Sequence, residues 1–194
     1  MSVSGGPREE RRVVAALFAD LVGSTALGER LDPEELKLVV ADAVARMIGA
    51  IEAFDGTVKD LAGDGVLALF GAPVAHEDDS ERAVRAGLRI VEEIADYARD
   101  VERAWDIEGF GVRVGVDTGS VVTGSIGAGS RVEYTALGDA VNTAARLQSH
   151  TDPGTVLVGP ETYRLTRSLF EWSDAAQLDL KGKAEPVAAR RVTG

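Results

Sequence analysis

Residues able to bind a metal ion and phosphate concentrate at two places in the sequence. Asp20 ends an apolar run and precedes the small-residue segment Gly23-Ser24-Thr25, and Asp64 lies in a Gly-Asp-Gly triplet. Carboxylate oxygens are hard ligands, which suit Mg²⁺, Mn²⁺ or Ca²⁺. The backbone N–H groups of a small-residue turn that leads towards a helix can hold phosphate oxygens. If the two carboxylates lie together, these residues predict a site for a metal-bound polyphosphate.

The elements that carry these residues can be predicted from the spacing of apolar positions. A short continuous apolar run indicates a buried strand, apolar residues at helical spacing indicate a helix, and an Asp-Gly pair between β-type runs indicates a hairpin. The resulting order begins strand, helix, strand, strand, helix, strand. In chain order the predicted elements are strand 13–19, helix 36–51, strands 57–62 and 66–70, helix 84–101, and strands 110–117 and 120–126.

This order predicts an α+β fold with a ferredoxin-like βαββαβ core, in which the third strand inserts antiparallel beside the first. The end of the first strand then lies beside the hairpin turn, so Asp20 and Asp64 become neighbours. Two carboxylates 4 Å apart repel by about 1 kcal/mol in water and by about 4 kcal/mol at an effective dielectric of 20, which favours a cation between them. The alternative is that Asp20 caps the next helix and Asp64 is an ordinary turn residue.

Composition excludes several classes of function. The 194 residues, of which 45% are hydrophobic, predict one soluble domain. A net charge of −11 without a Lys/Arg-rich stripe argues against nucleic acid as a partner and against an anionic membrane surface. Because the chain has no cysteine, disulfides, zinc–thiolate sites and thiol nucleophiles are excluded.

The start of the chain is polar and has no apolar stretch of the kind found in a secretory signal. Residues 1–12 are expected to form a flexible N-terminal lead-in, and residues 13–194 a single catalytic domain. The apolar run 13–19 is too short to span a bilayer, so no direct membrane insertion is expected. The expected location of the protein is the cytoplasm.

Four segments together resemble the successive signatures of class III nucleotidyl cyclases of the bacterial type. They are Phe18–Thr25, Gly63–Ala68, Arg113–Gly119 and Leu137–Arg146, in family order and at family spacing. The resemblance extends from about Val13 to the end of the chain and implies a C-terminal strand and helix extension of the core. It also implies a homodimer that forms cyclic nucleotide and pyrophosphate from a nucleoside triphosphate at active sites shared between protomers.

The resemblance assigns the metal ligands. Asp20 and Asp64 match the two metal carboxylates, and Leu21 matches the residue whose backbone carbonyl also reaches metal. These groups would hold two divalent cations, Mg²⁺ or Mn²⁺. One ion would activate the ribose 3′-hydroxyl for attack on the α-phosphorus, and the other would bind the triphosphate and stabilise the departing pyrophosphate.

The resemblance also assigns the groups that contact ribose and phosphate. Asn142 and Arg146 match the pair that orients the ribose and stabilises the pentavalent α-phosphate from the other subunit, and their spacing puts both on one helix face. Lys181 and Arg113 match residues that contact phosphates. Without the resemblance, these four would be, respectively, a helix cap, a surface ion-pair residue, a residue of a solvated turn and a strand arginine paired with a carboxylate.

The purine-reading positions depart from the family pattern. In adenylate cyclases of this class the purine is chosen by a lysine four residues before the second metal carboxylate, together with an Asp or Thr; here these positions hold Asp60 and Thr135. Lys59 lies one residue too early, which in a regular strand points its side chain to the opposite face. Thr135 fits the bacterial adenylate pattern and favours ATP. Asp60 leaves GTP open, because a carboxylate can accept hydrogen bonds from guanine N1–H and the 2-amino group.

Two further classes of function compete with a cyclase. A catalytically silent cyclase-like module would dimerise or sense nucleotide without turnover. A diguanylate cyclase would carry a Gly-Gly-Asp/Glu-Glu-Phe turn at the central hairpin, and this sequence has none. A P-loop kinase is excluded because the chain has no G-x-x-x-x-G-K-[ST] segment.

Overall fold

The computed structural model describes residues 10–128 and 131–194, and it describes the side chains of residues 11–122 and 138–194. Helices and strands alternate along the chain in an α+β arrangement. The elements are β1 Glu10–Val22, α1 Ser24–Arg30, α2 Pro33–Glu52, β2 Thr57–Ala62, β3 Gly65–Phe70, α3 Asp79–Trp105, β4 Gly111–Ala128, β5 Arg131–Leu137, α4 Asp139–His150, β6 Thr155–Val158, α5 Pro160–Thr166, β7 Ala176–Leu178 and β8 Val187–Arg191.

The strands form one mixed sheet with β1 near its centre. The strand order is β2-β3-β1-β4-β6-β8-β7, and β5 pairs with β4 off this path. Strand β3 lies antiparallel to β1, and β4 pairs with β1 on the other side. The predicted α+β class and the insertion of the third strand beside the first are therefore confirmed.

One predicted boundary within the sheet is wrong. The sequence predicted separate strands at 110–117 and 120–126, with a break at Thr118-Gly119. The structure has the single strand β4, because Thr118 and Gly119 continue the antiparallel ladder opposite Ala15 and Val14 of β1. An uninterrupted partner strand thus holds the glycine in an extended conformation.

The two predicted long helices are confirmed and cover one face of the sheet. Helix α2 begins with Pro33, and the side chain of Glu35 accepts a hydrogen bond from the backbone N–H of Asp32 at 3.3 Å, as in a capping box. Buried residues of α2 and α3 pack with Leu17 and Ala19 of β1 in the main core. Along the described residues, no helix combines the length and apolar character needed to cross a membrane.

Helix α4 covers part of the opposite face. Alternate residues of β1, such as Val14 and Ala16, point to this side and pack with Ala140 and Ala144 of α4. The helix approaches β4 closely at Gly115, where an added Cβ would lie 2.2 Å from the carbonyl oxygen of Ala144. The missing side chain at position 115 therefore sets the distance between α4 and the sheet.

We predict that Gly115→Ala displaces α4 and lowers the free energy of unfolding by about 3 kcal/mol, because the new methyl group meets backbone atoms that cannot rotate away. Urea denaturation measures this change. The matched control is Gly49→Ala in α2, where an added Cβ meets no atom within 4 Å. The control should be neutral or stabilising by up to about 1 kcal/mol. Equal stability of the Gly115→Ala variant and the wild type would contradict the prediction.

Candidate functional site

The register of the sheet brings the predicted metal carboxylates together. Asp20, near the end of β1, pairs with Gly65 at the start of β3, and Asp64 immediately precedes Gly65 in the hairpin turn. An added Cβ on Gly65 would lie 2.8 Å from Oδ1 of Asp20, so the carboxylate occupies the space that a side chain there would fill. The structure thus places Asp20 and Asp64 side by side, as the ferredoxin-like order predicted.

The electrostatics of this carboxylate pair favour a cation. Both side chains are half-buried. Burial raises the pKa of Asp20, the neighbouring Asp64 carboxylate raises it further, and Arg113 opposes these effects. A divalent ion between the two carboxylates would relieve their repulsion. The donor set therefore fits a hard cation.

The carboxylate pair would leave room for ligands from a substrate. No cluster of three or more His, Cys, Asp or Glu side chains able to hold a metal occurs among the described residues. The two carboxylates and the backbone carbonyl of Leu21 supply only part of a coordination shell; the side chain of Leu21 is buried, 5% exposed. Mg²⁺ commonly binds through one or two carboxylates and completes its shell with water and phosphate oxygens.

The small-residue segment after Asp20 turns sharply into helix α1. Gly23 has φ +87°, and an added Cβ would lie 2.7 Å from the carbonyl oxygen of Gly109, so only glycine fits both the conformation and the space. Ser24 is half-buried and Thr25 is exposed in the first turn of α1. The predicted turn is thus Gly23 alone, and Ser24 and Thr25 already belong to the helix.

Arg113 lies on β4 directly opposite Asp20. It is half-buried, and its Nε atom is buried without a hydrogen-bond partner among the described atoms. Its positive charge lowers the pKa of Asp20. Arg113 is therefore close enough to Asp20 to act on it, and it keeps an unused donor.

The predicted ribose and phosphate contacts gather elsewhere, around α4. Asn142 is exposed and Arg146 is half-buried one turn later. An added Cβ on Gly182 would lie 3.4 Å from the Arg146 guanidinium, so the turn that carries the exposed Lys181 rests on Arg146. The charged groups that shift the pKa of Asp20 are Asp64 and Arg113. The predicted site residues thus fall into two groups, one around Asp20 and one along α4 and the turn beside it.

Strand β2, which carries the predicted purine-reading position Asp60, contains a β-bulge. Val58 pairs with Ala68 and Asp60 pairs with Leu67, which leaves Lys59 without a partner on β3. In a regular strand, successive side chains alternate between the two faces, and this alternation predicted Lys59 on the face opposite to Asp60. The bulge interrupts the alternation at Lys59, so the alternation does not decide the face of that residue. Asp60 is exposed, and its Oδ1 accepts a hydrogen bond from the backbone N–H of Leu61 at 2.9 Å.

Asp60 lies on the same sheet face as the carboxylate pair. Its partner Leu67 pairs with Phe18 of β1, and Asp20 follows Phe18 by two residues, which is the spacing of one strand face. The pairs Asp60–Leu67, Leu61–Val66 and Ala62–Gly65 run regularly to the hairpin turn, so the turn and not the bulge sets the face of Asp60. The backbone of Thr135 pairs with Gly124 in the β4–β5 ladder, and the side chain of Thr135 lies outside the described residues.

Sequence analysis assigned no role to Asp117, which is 8% exposed in β4. Burial raises the pKa of Asp117 to about 7; Lys183 and the backbone N–H of Thr118 oppose the rise, whereas Asp139 and Glu161 add to it. Lys183 itself forms an ion pair with Asp139 at the start of α4. The sequence signal that could have identified Asp117 is its position within a predicted buried strand, directly after the apolar Val116.

We predict that Asp117→Asn changes how stability depends on pH. In the unfolded chain this carboxyl ionises near pH 4, and in the folded protein near pH 7, so folding retains a proton between these values. The wild type should therefore lose stability relative to the variant as pH rises from about 4 to about 7, by up to about 4 kcal/mol, and lose no more above that range. Urea denaturation across this range measures the difference.

Asp174→Asn is the control for that experiment, because Asp174 is exposed and the change removes no buried carboxyl. A stability difference between Asp117→Asn and wild type that stays constant from pH 4 to 8 would show that folding does not raise the pKa of Asp117, and it would contradict the prediction.

Comparisons with known proteins agree over nearly the whole chain. A family model described as the adenylate and guanylate cyclase catalytic domain matches residues 7–189. Adenylate cyclase 1 of Rhizobium meliloti (strain 1021) is 32% identical over 192 residues, or 98% of this chain. The chain spans 29% of the length of that protein and 18% of a second relative from the same organism.

Two solved structures resemble the fold closely. The adenylyl cyclase CyaB from P. aeruginosa superposes with a TM-score of 0.90 at 30% identity, with 96% of each chain covered. The guanylyl cyclase Cya2 superposes with a TM-score of 0.88 at 31% identity, with 96% of this chain and 94% of that chain covered. The two structures are similar to this chain to nearly the same degree and differ in the purine that their names give.

Proposed function

Because the chain belongs to the family of adenylate and guanylate cyclase catalytic domains, we propose that it converts ATP to 3′,5′-cyclic AMP and pyrophosphate at the interface of a homodimer. The observation that carries the proposal is the adjacency of Asp20 and Asp64, two half-buried carboxylates; burial and the neighbouring Asp64 raise the pKa of Asp20. Such a pair is suited to the divalent cations on which this reaction depends.

The carboxylate group of residues would bind the metal-bound triphosphate. Asp20, Asp64 and the carbonyl of Leu21 are the proposed metal ligands. Two divalent cations, Mg²⁺ or Mn²⁺, would supply activation of the ribose 3′-hydroxyl and neutralisation of charge on the leaving pyrophosphate. Arg113, whose backbone pairs with that of Asp20, would use its guanidinium to contact a phosphate oxygen.

The second group would act on the reacting phosphate. Arg146 and Lys181 supply positive charge where negative charge develops in the transition state, and Asn142 orients the ribose. The two groups of residues are separate within one chain. A two-fold dimer would bring the carboxylate group of one protomer to the α4 group of its partner and create two equivalent sites.

ATP is the favoured substrate, and GTP is the alternative that a specific observation supports. Thr135 matches the bacterial adenylate pattern, and the Rhizobium relative and CyaB are named as adenylate cyclases. The regular pairing from the hairpin turn back to Asp60, however, puts Asp60 on the face of the proposed metal ligands, where its carboxylate can accept hydrogen bonds from guanine. The identity of the product decides between the two purines.

We predict that the wild type forms cyclic AMP in the presence of Mn²⁺ and that Asp64→Ala lowers the rate at least about 100-fold, because one metal ligand is lost. Product identification by chromatography with ATP and with GTP measures both activity and purine preference. A larger yield of cyclic GMP than of cyclic AMP would move the assignment to a guanylate cyclase.

The control for this loss is Asp96→Ala, since Asp96 is an exposed residue of α3 that pairs only with its neighbour Arg99. This variant should keep wild-type activity. If the wild type forms no more cyclic product than Asp64→Ala, the chain is a silent cyclase-like module and the proposed reaction is wrong.

We also predict that two inactive variants restore activity to each other. In a mixture of equal amounts of Asp20→Ala and Arg146→Ala, half of the freely exchanging dimers combine both variants, and each combined dimer has one site with all its residues intact. The mixture should therefore show about a quarter of wild-type activity. Turnover of the mixture is compared with that of each variant alone; a mixture no more active than its components would contradict sites shared between protomers.

A further inference from the structure

The segment from Leu180 to Lys183 is fastened along helix α4 at three points. Leu180 is 3% exposed and packs in a cluster with Leu147 of α4. Gly182 lies against the guanidinium of Arg146. Lys183 forms an ion pair with Asp139, the first residue of α4. The segment, which we call the lysine turn, thus follows α4 from its third turn back to its N-terminal end.

The lysine turn has a defined backbone conformation. The backbone N–H of Lys183 donates to the carbonyl oxygen of Leu180 at 3.0 Å, and Gly182 has φ +83°, which favours glycine. Between these residues Lys181 is exposed. The turn therefore presents Lys181 to solvent while it packs on Arg146, so the two cations proposed to contact phosphate are held by one structural unit.

Lys183 differs in its environment from Lys181. Its side chain is 26% exposed, and it lies between carboxylates from two elements, Asp139 of α4 and the buried Asp117 of β4. Its ion-pair partner Asp139 is 65% exposed, so water screens the pair from that side, while burial of Lys183 limits screening from the other. Lys183 is the one anchor of the lysine turn that depends on charge.

We propose that Lys183 is a positioning residue for the reaction: its ion pair with Asp139 fixes the lysine turn on α4 and so holds Lys181 and Arg146 in one geometry for the phosphates of the substrate. This inference rests on the proposed function. Its role is indirect, since the side chain of Lys183 is directed to α4 and β4, and it is Lys181 that the turn exposes.

A loss of this ion pair should affect turnover more than folding. The apolar anchor Leu180 remains in place, so the domain stays folded, but the turn gains freedom at its charged end. Small displacements of groups that position a reacting phosphate can lower rates by about 100-fold. We expect Lys183→Met to lower kcat by about 10-fold to 100-fold, with a smaller change in KM for the triphosphate.

The experiment compares five proteins: wild type, Lys183→Met, Lys183→Arg, Asp139→Asn and the double variant of Lys183→Met with Asp139→Asn. Steady-state kcat and KM and the melting temperature are measured for each. Lys183→Arg should recover most of the activity, because arginine retains the charge. The double variant should be no worse than either single variant, because both changes remove the same interaction. Lys37→Met, an exposed change in α2, is the control and should match wild type.

The outcomes separate the inference from the function on which it rests. A wild type that forms no cyclic product ends the proposed function. An active wild type with unchanged kcat in Lys183→Met ends the inference alone, and so does full activity in Asp139→Asn, since Lys183 would then act without its partner. If Lys183→Met does not fold, the charge exchange of Lys183→Asp with Asp139→Lys replaces it. Recovered turnover in this double variant supports the pairing, and the absence of turnover overturns it.

Discussion

The interaction on which the proposed chemistry depends is the repulsion between two carboxylates that the sheet holds together. Asp20 and Asp64 are 44 positions apart in sequence, and the antiparallel register of β1 and β3 makes them neighbours. The register therefore fixes the backbones that carry the two carboxylates next to each other in a half-buried place. A bound cation would relieve the repulsion between the carboxylates. The proposed metal site thus depends on strand order as well as on the two side chains.

Helix α4, on the sheet face opposite the main core, carries the second group of proposed site residues. Helix α4 lies close to the sheet because Gly115 has no side chain, and this approach determines how far Asn142 and Arg146 lie from the sheet. The lysine turn then packs on Arg146 through another glycine, Gly182. The two glycines act differently. At Gly115 an added Cβ would meet backbone atoms of α4, whereas at Gly182 it would only contact the side chain of Arg146, and the φ of +83° is what favours glycine there.

Much of this arrangement follows from the sequence, and the exceptions have physical causes. The long helices and the central hairpin were predictable because their signals are local: apolar spacing, Asp32-Pro33 at a helix start, and an Asp-Gly turn. The continuity of β4 through Gly119 was not, because a partner strand overrides the local tendency of glycine to end a strand. Asp117 was missed because its environment is also set by contacts that are not local in sequence. Its burial and the approach of Lys183 arise from elements distant in sequence, and no spacing rule joins them.

The β-bulge at Lys59 has a consequence for which side chain can stand opposite Leu67. Strand β2 is at the edge of the described sheet, where it pairs with β3, and the bulge absorbs one residue without altering the pairing next to the hairpin turn. Relocation of the extra residue from Lys59 to Asp60 would bring Lys59 opposite Leu67, while the turn that holds Asp64 keeps its place. Under the proposed function, base preference could therefore change through a small slip of an outer strand without moving the proposed metal carboxylates.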